Sequence, residues 1–282
     1  MSSLPRKSIL ITGCSSGIGF VAAKMLQERG YLVVASCRKV EDIQRLKTEG
    51  LAHVLHLDLD NSRSIEQAVK DTLEITGGDL FALFNNGAYG QPGAVEDLSR
   101  ETLRKQFETN VFGTHELTRL LLPTFLAQPD ARIVQNSSIL GFVASPTRGA
   151  YIASKYALEG LTDTMRLELY GSSVKAILIE PGPIISRFRQ NALIALKTNI
   201  DMKNSRHTAM YDAALVRLSR LGPSMRGTLP ESAVVKKLIH ALESRRPKAR
   251  YGVTMHTHTA AFFKRIMSVK QLDWMLRVFG GN

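Results

Sequence analysis

Two side chains that could exchange a proton with a substrate stand four residues apart in the second half of the chain. Tyr151 and Lys155 lie in a segment whose alanine, leucine, lysine and glutamate content favours a helix. Side chains four residues apart share one face of a helix, so the phenol and the ammonium lie one turn apart. Most Tyr-x-x-x-Lys spacings are ordinary surface neighbours. The pair therefore indicates an acid–base centre only in combination with other signals.

One such signal is a hydroxyl at the end of the preceding predicted strand. The β-prone apolar run at 133–138 ends in Ser138, thirteen positions before Tyr151. Strands at 80–84 and 175–180 and the helices between them continue an alternating pattern along the chain. This alternation predicts an α/β fold with one doubly wound, Rossmann-type parallel sheet.

A glycine-rich turn near the N-terminus predicts a phosphate-binding loop. The apolar run at 8–11 has the character of a buried parallel strand, and a helical pattern runs from Phe20 to Gly30. Glycines let backbone N–H groups approach a pyrophosphate, and a helix N-terminus favours an anion. Strand, glycine turn and helix together predict a dinucleotide site. The turn between them reads Thr12-Gly13-Cys14-Ser15-Ser16-Gly17-Ile18-Gly19.

The end of the second predicted strand, at 31–37, indicates which dinucleotide is bound. Arg38 and Lys39 follow it directly, whereas the first acids, Glu41 and Asp42, belong to the next element. A carboxylate at this point usually binds the ribose 2′-hydroxyl of NAD, and a cation accommodates a 2′-phosphate. We therefore predict NADP(H) as the cofactor and Arg38 as its phosphate ligand. The alternative is that Arg38 is a plain loop cation.

Three further positions attract attention. Asp58 and Leu59 end a third predicted strand at 53–59, where the carboxylate could bond the adenine edge. Asn110 is a polar residue inside an apolar helical stretch that Ser99 is expected to cap. Such an asparagine either satisfies itself locally or bends the helix and offers a carbonyl inward.

We predict a single domain over residues 1–282, in three parts. Residues 8–185 form the cofactor and catalytic core, 186–228 a mobile substrate lid, and 229–282 the last helices and a short strand. The lid is polar and basic, yet it carries apolar residues that suit a large apolar substrate. The alternative is that these residues pack on the domain itself. With the residues just before the lid they are Ile184, Ile185, Phe188, Leu193, Ile194 and Leu196.

These motifs occur together in one order: Thr12-Gly13-x-x-x-Gly17-x-Gly19, Asn85-Asn86-Gly87, Asn110, Ser138, Tyr151-x-x-x-Lys155 and Pro181-Gly182. In that order and approximate spacing, residues 8 to about 185 resemble the single-domain short-chain dehydrogenases/reductases. The nearest branch contains hydroxysteroid and retinol dehydrogenases and bacterial NADP-dependent aldehyde reductases. One departure is that the family usually has Asn-Asn-Ala-Gly where this chain has Asn85-Asn86-Gly87-Ala88.

The resemblance implies a catalytic role for four residues. Tyr151 would exchange a proton with the substrate oxygen while a hydride moves to or from nicotinamide C4. Ser138 would hydrogen-bond that oxygen, and Asn110 would hold a water that links Lys155 to bulk solvent. Lowering the pKa of a free tyrosine from ~10 to 7 requires about 4 kcal/mol. An ammonium about 4 Å away at an effective dielectric near 20 supplies roughly that amount.

The resemblance also implies the outline of a cofactor site. Pro181 and Gly182 would line the nicotinamide side, and Lys155 would hold the nicotinamide ribose. The cofactor would run along the glycine loop and past the turn after the fourth strand. The cofactor-binding residues predicted in this way are Gly13, Ser15, Ser16, Gly17, Ile18, Gly19, Arg38, Asp58, Leu59, Asn86, Gly87, Tyr151, Lys155, Pro181 and Gly182. No metal is required, because the cofactor itself supplies the hydride.

The charge distribution and the cysteine content restrict which partners and which compartment are expected for this chain. The net charge is +12, and residues 187–282 alone hold 18 Lys and Arg against 5 Asp and Glu. The aromatic and aliphatic residues interleaved there favour a lipid or homo-oligomer interface over nucleic acid, with docking of the last helix on its own domain as the alternative. Cys14 and Cys37 are too few for a disulfide framework or a zinc site. His256-x-His258, expected on one side of a strand, has no third ligand.

We therefore predict a cytoplasmic enzyme that forms a homo-oligomer, and peripheral contact with a membrane through the basic C-terminal third stays open as an alternative. Residues 1–5 are too short and polar for a secretion signal. The expected reaction is NADP(H)-dependent interconversion of a carbonyl and an alcohol on an apolar substrate. One alternative is an oxidative hydroxysteroid or retinol dehydrogenase. The non-enzymatic alternatives are an NADPH-binding sensor and a membrane-surface protein, and a nucleotide-sugar epimerase is disfavoured by length and by the glycine spacing.

Overall fold

A seven-stranded parallel sheet organises the computed structural model, which describes residues 7–220, 222–223 and 225–279. The strand order is β3-β2-β1-β4-β5-β6-β7, so the chain winds outward in one direction from β1 and then in the other from β4. This confirms the predicted Rossmann-type α/β sheet. The sequence interpretation of residues 1–5 lies outside the described residues.

The strands and helices alternate as the apolar pattern predicts. The strands are β1 (Ser8–Ile11), β2 (Leu32–Cys37), β3 (His53–His56), β4 (Ala82–Asn85), β5 (Ala131–Asn136), β6 (Val174–Glu180) and β7 (Arg250–Gly252). The helices are α1 (Gly17–Glu28), α2 (Val40–Thr48), α3 (Ser62–Thr76), α4 (Arg100–Phe107), α5 (Thr114–Ala127), α6 (Gly149–Glu168), α7 (Phe188–Asn199), α8 (Thr208–Ser219), α9 (Glu231–Glu243), α10 (Met255–Ile266) and α11 (Val269–Phe279).

Apolar side chains cover the sheet on both faces. One face packs against α1, α2 and α9, with Leu26, Leu46 and Leu238 fully buried. The other packs against α3, α5 and α6, with Leu117 and Phe125 fully buried. Because the strands are buried on both faces, they consist of nearly continuous apolar runs rather than alternating patterns. This packing holds the carboxyl ends of the strands, and the loops that follow them, in fixed relative positions.

The segment predicted as a lid contains two helices, α7 and α8. They share an apolar cluster of their own, in which Leu196 and Tyr211 are buried. The Tyr211 hydroxyl accepts a hydrogen bond from Ala94 N at 3.0 Å and donates one to Asp97. Part of the apolar content of this segment therefore packs on the domain, as the alternative interpretation held. Its role as a mobile lid stays a prediction.

The C-terminal part differs from the sequence prediction in one respect. His256 and His258 lie in α10, so the strand expected there is wrong. Thr254 supplies the reason, because its side chain accepts a hydrogen bond from Thr257 N and caps a helix at this point. Within the part of the chain that the structure describes, no helix combines the length and the apolar character needed to cross a bilayer.

Candidate active site

The candidate site lies where the strand order reverses, between β1 and β4. Ligands of doubly wound sheets bind at this point, in the crevice beyond the carboxyl ends of the strands. Here a cleft of about 1340 Å³ runs from the glycine loop after β1 to the C-terminal helices. Predicted site residues that line it are Gly13, Ser15, Ser16, Gly17, Ile18, Asn86, Gly87, Ser138, Tyr151, Lys155, Pro181 and Gly182.

The glycine loop has the backbone that an anion-binding turn requires. Gly13 and Gly17 have φ of 72° and 60°, a region that favours glycine. A Cβ on Gly13 would lie 2.7 Å from the Cα of Gly87, so both positions are small because two loops meet there. Ser16 precedes α1 in an extended conformation and forms no side-chain cap, and the first turn of α1 carries no acid. The first N–H groups of α1 are thus available to a phosphate.

Tyr151 stands in the first turn of α6, where the surrounding segments bury its phenol. Burial raises its pKa to about 12, although a hydrogen bond with Ser138 and the charge of Arg148 act in the opposite direction. The prediction that Lys155 lowers this pKa is wrong for the chain by itself. Burial by the surrounding segments outweighs the nearby cations, and the cation that acts on the phenol is Arg148. At neutral pH the Tyr151 hydroxyl is therefore protonated.

Lys155 lies one turn further along α6, as the spacing predicts, with its Nζ 5.7 Å from the centre of the Tyr151 ring. The side chain is buried, and burial lowers its pKa to about 8 while Glu159 acts to raise it. Its ammonium donates a 2.7 Å hydrogen bond to the carbonyl of Asn136. The Asn136 amide in turn donates to Asn86 Oδ1 at 2.9 Å.

Asn86 carries this chain of hydrogen bonds to the glycine loop. Its amide donates to the carbonyls of Thr12 at 2.9 Å and Gly13 at 3.2 Å. The lysine and the phosphate-binding turn are thus held in one hydrogen-bonded frame. Sequence reasoning missed Asn136, whose only signal was a polar residue at the buried end of a strand.

Asn110 lies in a π-helical turn, Glu108–Gly113, between α4 and α5. Its amide donates to Ser154 Oγ at 3.1 Å and to the carbonyl of Tyr89 at 3.0 Å, and its Oδ1 accepts from Tyr89 N. Ser154 adjoins Lys155, so the side chain ties this irregular turn to the Tyr151 helix. The helix distortion expected at Asn110 is present, although the residue does not line the cleft.

Four other predicted cofactor residues lie outside the cleft lining. Gly19 is packed so closely that a Cβ would lie 2.3 Å from the carbonyl oxygen of Gly13. Arg38 is exposed after β2, and Asp58 accepts a hydrogen bond from Asp60 N in the loop after β3. Leu59 is buried against Gly87. These residues adjoin the turns that line the cleft rather than its walls.

Two further side chains lie near Tyr151: Phe188, which the sequence assigned to the lid, and Arg148, which sequence reasoning missed. Phe188, the first residue of α7, packs edge-on against the Tyr151 ring with a centroid separation of 5.2 Å. The small size of Gly90 makes room for it, because a Cβ there would lie 2.6 Å from Phe188 Cζ. Arg148 lines the cleft three residues before Tyr151. Nothing in the local pattern distinguishes Arg148 from a surface residue.

The cleft suits a dinucleotide. Its volume exceeds the ~300–1,000 Å³ of a typical ligand pocket, so a cofactor and a substrate can share it. The glycine turn would face the phosphates, and Lys155 would face the nicotinamide ribose. The buried Oδ1 of Asn136, a residue of the cleft lining, lacks a hydrogen-bond partner among the described residues.

Comparison with known proteins identifies a family to which the chain is similar. The family profile described as short chain dehydrogenase matches residues 7–196. The chain is 40% identical over 272 residues to the uncharacterized oxidoreductase YbbO of Escherichia coli K12, covering 96% of this chain and 94% of that protein. It is 32% identical over 251 residues to the NADPH-dependent 3-dehydrocapnine reductase of Ornithobacterium rhinotracheale, covering 86% and 87%.

A solved structure shares the fold over nearly the whole chain. It is a short-chain dehydrogenase from Streptomyces avermitilis, with a TM-score of 0.79, 24% identity and 98% coverage of both chains. Family profile, relatives and fold agree with the motifs quoted from the sequence. The chain belongs to the short-chain dehydrogenase/reductase family of oxidoreductases, whose members act on CH–OH and C=O groups with NAD or NADP.

Proposed function

We propose that the chain is an NADP(H)-dependent carbonyl reductase for apolar aldehydes or ketones, with Tyr151 as the general acid. The observation that carries this proposal is the meeting of Tyr151, Ser138 and Lys155 beside the glycine turn in one cleft. NADPH would supply the hydride when bound. The pKa of about 12 keeps the phenol protonated, which favours proton donation to a carbonyl oxygen over proton abstraction from an alcohol.

Each residue of this group has a separate task. Ser138 hydrogen-bonds the carbonyl oxygen and stabilises the negative charge that develops there. Tyr151 delivers its proton to the same oxygen. Lys155 holds the ribose hydroxyls, and the charge of Arg148 stabilises the phenolate left after proton transfer. Asn110 connects this group to the loop after β4 through Tyr89.

Three features support NADP(H) and an apolar substrate. Arg38 and Lys39 follow β2, with no acid before Glu41. A relative of this chain is named as NADPH-dependent. The far arm of the cleft is apolar and methionine-rich, with Met255, Phe263, Met267, Trp274 and Met275 among its lining residues. Met side chains adapt to ligands of different shape, so this arm suits a flexible hydrocarbon.

The test is oxidation of NADPH and of NADH, followed by absorbance, with a panel of aldehydes, ketosteroids and retinoids. Tyr151→Phe should abolish turnover while NADPH binding persists, and Ser138→Ala should lower kcat by about 10²–10³-fold. A Tyr151→Phe enzyme that reduces every carbonyl at the wild-type rate would refute the mechanism. Faster oxidation of steroid or retinoid alcohols with NADP⁺ would favour the oxidative alternative instead.

Membrane contact and homo-oligomer formation stay predictions. The side chains of Phe262, Ile266, Val269, Trp274 and Val278 in α10 and α11 are more than half exposed, among basic residues. Sedimentation with anionic liposomes at low and high salt would test the first prediction, and analytical ultracentrifugation the second. Equal liposome binding by a chain truncated after Gly252 would exclude these helices as the contact.

A further inference from the structure

Two half-buried arginines of the cleft have neither an ion pair nor a hydrogen bond among the described residues. Arg148 immediately precedes α6, and Arg217 lies in the last turn of α8; both side chains line the cleft and are half-buried. Neither forms an ion pair or a side-chain hydrogen bond with any of the described residues. Asp212 also lines the cleft but pairs with neither. A guanidinium withdrawn from water without a partner is costly, so such groups are usually paired.

Two other arginines of this protein show the usual arrangement, one of them buried and one partly exposed. The partly exposed Arg250 contacts the carboxylates of Glu159, Asp163 and Glu180, which raise its pKa. Arg132 contacts Asp130 and the carbonyl of Ala131. The pKa values of the two cleft arginines, Arg148 and Arg217, are shifted in the opposite direction, downward. Burial lowers the pKa of Arg148 to about 10 and lowers that of Arg217, and the Arg217 charge contributes to the shift of Arg148.

The backbone holds Arg148 toward the reacting position. Thr147 has φ of 58°, a conformation that is rare for a β-branched residue. Its carbonyl accepts a 2.8 Å hydrogen bond from Gly93 N, which fixes the loop just before Arg148. Three residues later comes Tyr151, and side chains three apart on a helix are neighbours. Arg148 also acts electrostatically on the Tyr151 phenol.

The cofactor does not account for these two charges. Its phosphates belong at the glycine turn, where Ser15, Ser16 and Gly17 line a recess continuous with the cleft, together with Arg187, Arg189 and Arg220. Arg148 and Arg217 are absent from the lining of that recess and lie instead with Tyr151 and the apolar arm. The ligand that neutralises them therefore occupies the substrate part of the cleft.

We infer that the substrate carries an anionic group close to its carbonyl, held between Arg148 and Arg217, and an apolar chain that extends along the methionine-rich arm. This rests on the proposed function and adds a substrate class to it. A carboxylate, a sulfonate or a phosphate would serve, since each accepts paired hydrogen bonds from a guanidinium. The fork of Arg148 would orient the carbonyl toward Tyr151, and Arg217 would complete the anion site from α8.

A binding experiment tests the anion site without turnover. The chain's single tryptophan, Trp274, lines the cleft, so its fluorescence can report occupancy of the NADPH complex. Decanoate, decanesulfonate and decyl phosphate are titrated against 1-decanol, and the tightest binder identifies the anion type. We expect at least one anion to bind about 10- to 100-fold more tightly than the alcohol. Arg217→Gln and Arg148→Gln should reduce this preference to about threefold or less, whereas Arg246→Gln, on the exposed surface, should retain it.

A kinetic experiment separates this inference from the proposed function. The ratio of kcat/KM for 3-oxodecanoate over its methyl ester should fall by about tenfold or more in Arg217→Gln. If the wild type binds decanol as tightly as every anion, or if the acid-to-ester ratio is unchanged in Arg217→Gln, the anion site is refuted. If Arg217→Gln weakens NADPH binding instead, the arginine belongs to the cofactor site. If no carbonyl is reduced but the Arg217-dependent anion preference is present, the proposed function fails and the anion site stands.

Discussion

Replacing Lys155 by methionine is expected to stabilise the cofactor-free protein at pH 7, although the lysine belongs to the proposed catalytic group. Lys155 is 3% exposed, and its pKa is lowered by burial from 10.5 to about 8. One pKa unit corresponds to 1.36 kcal/mol, so keeping the charge in the folded state costs about 3 kcal/mol. Methionine removes that cost and loses the bond to the Asn136 carbonyl, worth about 1 kcal/mol. The expected net gain is about 2 kcal/mol.

The gain should disappear as the pH rises. Below pH 8, Lys155 is protonated in both the folded and the unfolded state. Between about pH 8 and 10.5 the folded protein releases the proton while the unfolded chain keeps it, so the wild type becomes more stable relative to Lys155→Met. Cys14 and Cys37, whose pKa values burial raises to about 12 and 11, lower the stability of both proteins above pH 9 and cancel in the difference.

The assay is urea unfolding of both cofactor-free proteins, followed by circular dichroism at pH 7, 8, 9 and 10. The difference in unfolding free energy should favour the variant by about 2 kcal/mol at pH 7 and reverse in sign near pH 10. Lys70→Met, on the exposed surface of α3, controls for loss of a lysine charge without burial. If the unfolding free energies of the wild type and Lys155→Met change in parallel with pH across this range, the buried ammonium carries no such cost.

Three further predictions concern cofactor binding and packing. Arg38→Asp should lower the ratio of kcat/KM for NADPH over NADH by about 10- to 100-fold, and an unchanged ratio would remove Arg38 from the 2′-phosphate site. Gly13→Ala should weaken NADPH binding measured by calorimetry, because φ is 72° and the new Cβ would lie 2.7 Å from Gly87 Cα. Gly77→Ala is the control: its φ is 60° and the space around it is open, so this substitution should lower only the stability of the fold. Tyr211→Phe should lower the unfolding free energy by about 1–3 kcal/mol in thermal melts, since Ala94 N and Asp97 lose a buried partner.

Local pattern sufficed for the elements that build the cleft. Ser8–Ile11 is apolar throughout because the strand is covered on both faces, and Gly77 ends α3 in the left-handed conformation that glycine favours. Segments with mixed patterns were less predictable. The third strand ends at His56 rather than Leu59, and the region from 188 to 219 forms two helices whose apolar residues face each other and the 94–97 loop. Such contacts depend on partners far away in the chain.

The family, the sheet and the spacing of Ser138, Tyr151 and Lys155 follow from the sequence alone, because glycine turns, strand runs and helical spacing are local properties. Only the tertiary structure decided the charge states in the cleft. Tyr151 and Lys155 have shifted pKa values because remote segments exclude water from them. Arg148 and Arg217 are 69 positions apart along the chain, and only folding places both in one cleft, where neither pairs with a carboxylate of the described residues. Desolvation and charge proximity depend on which segments meet, and no local pattern encodes that.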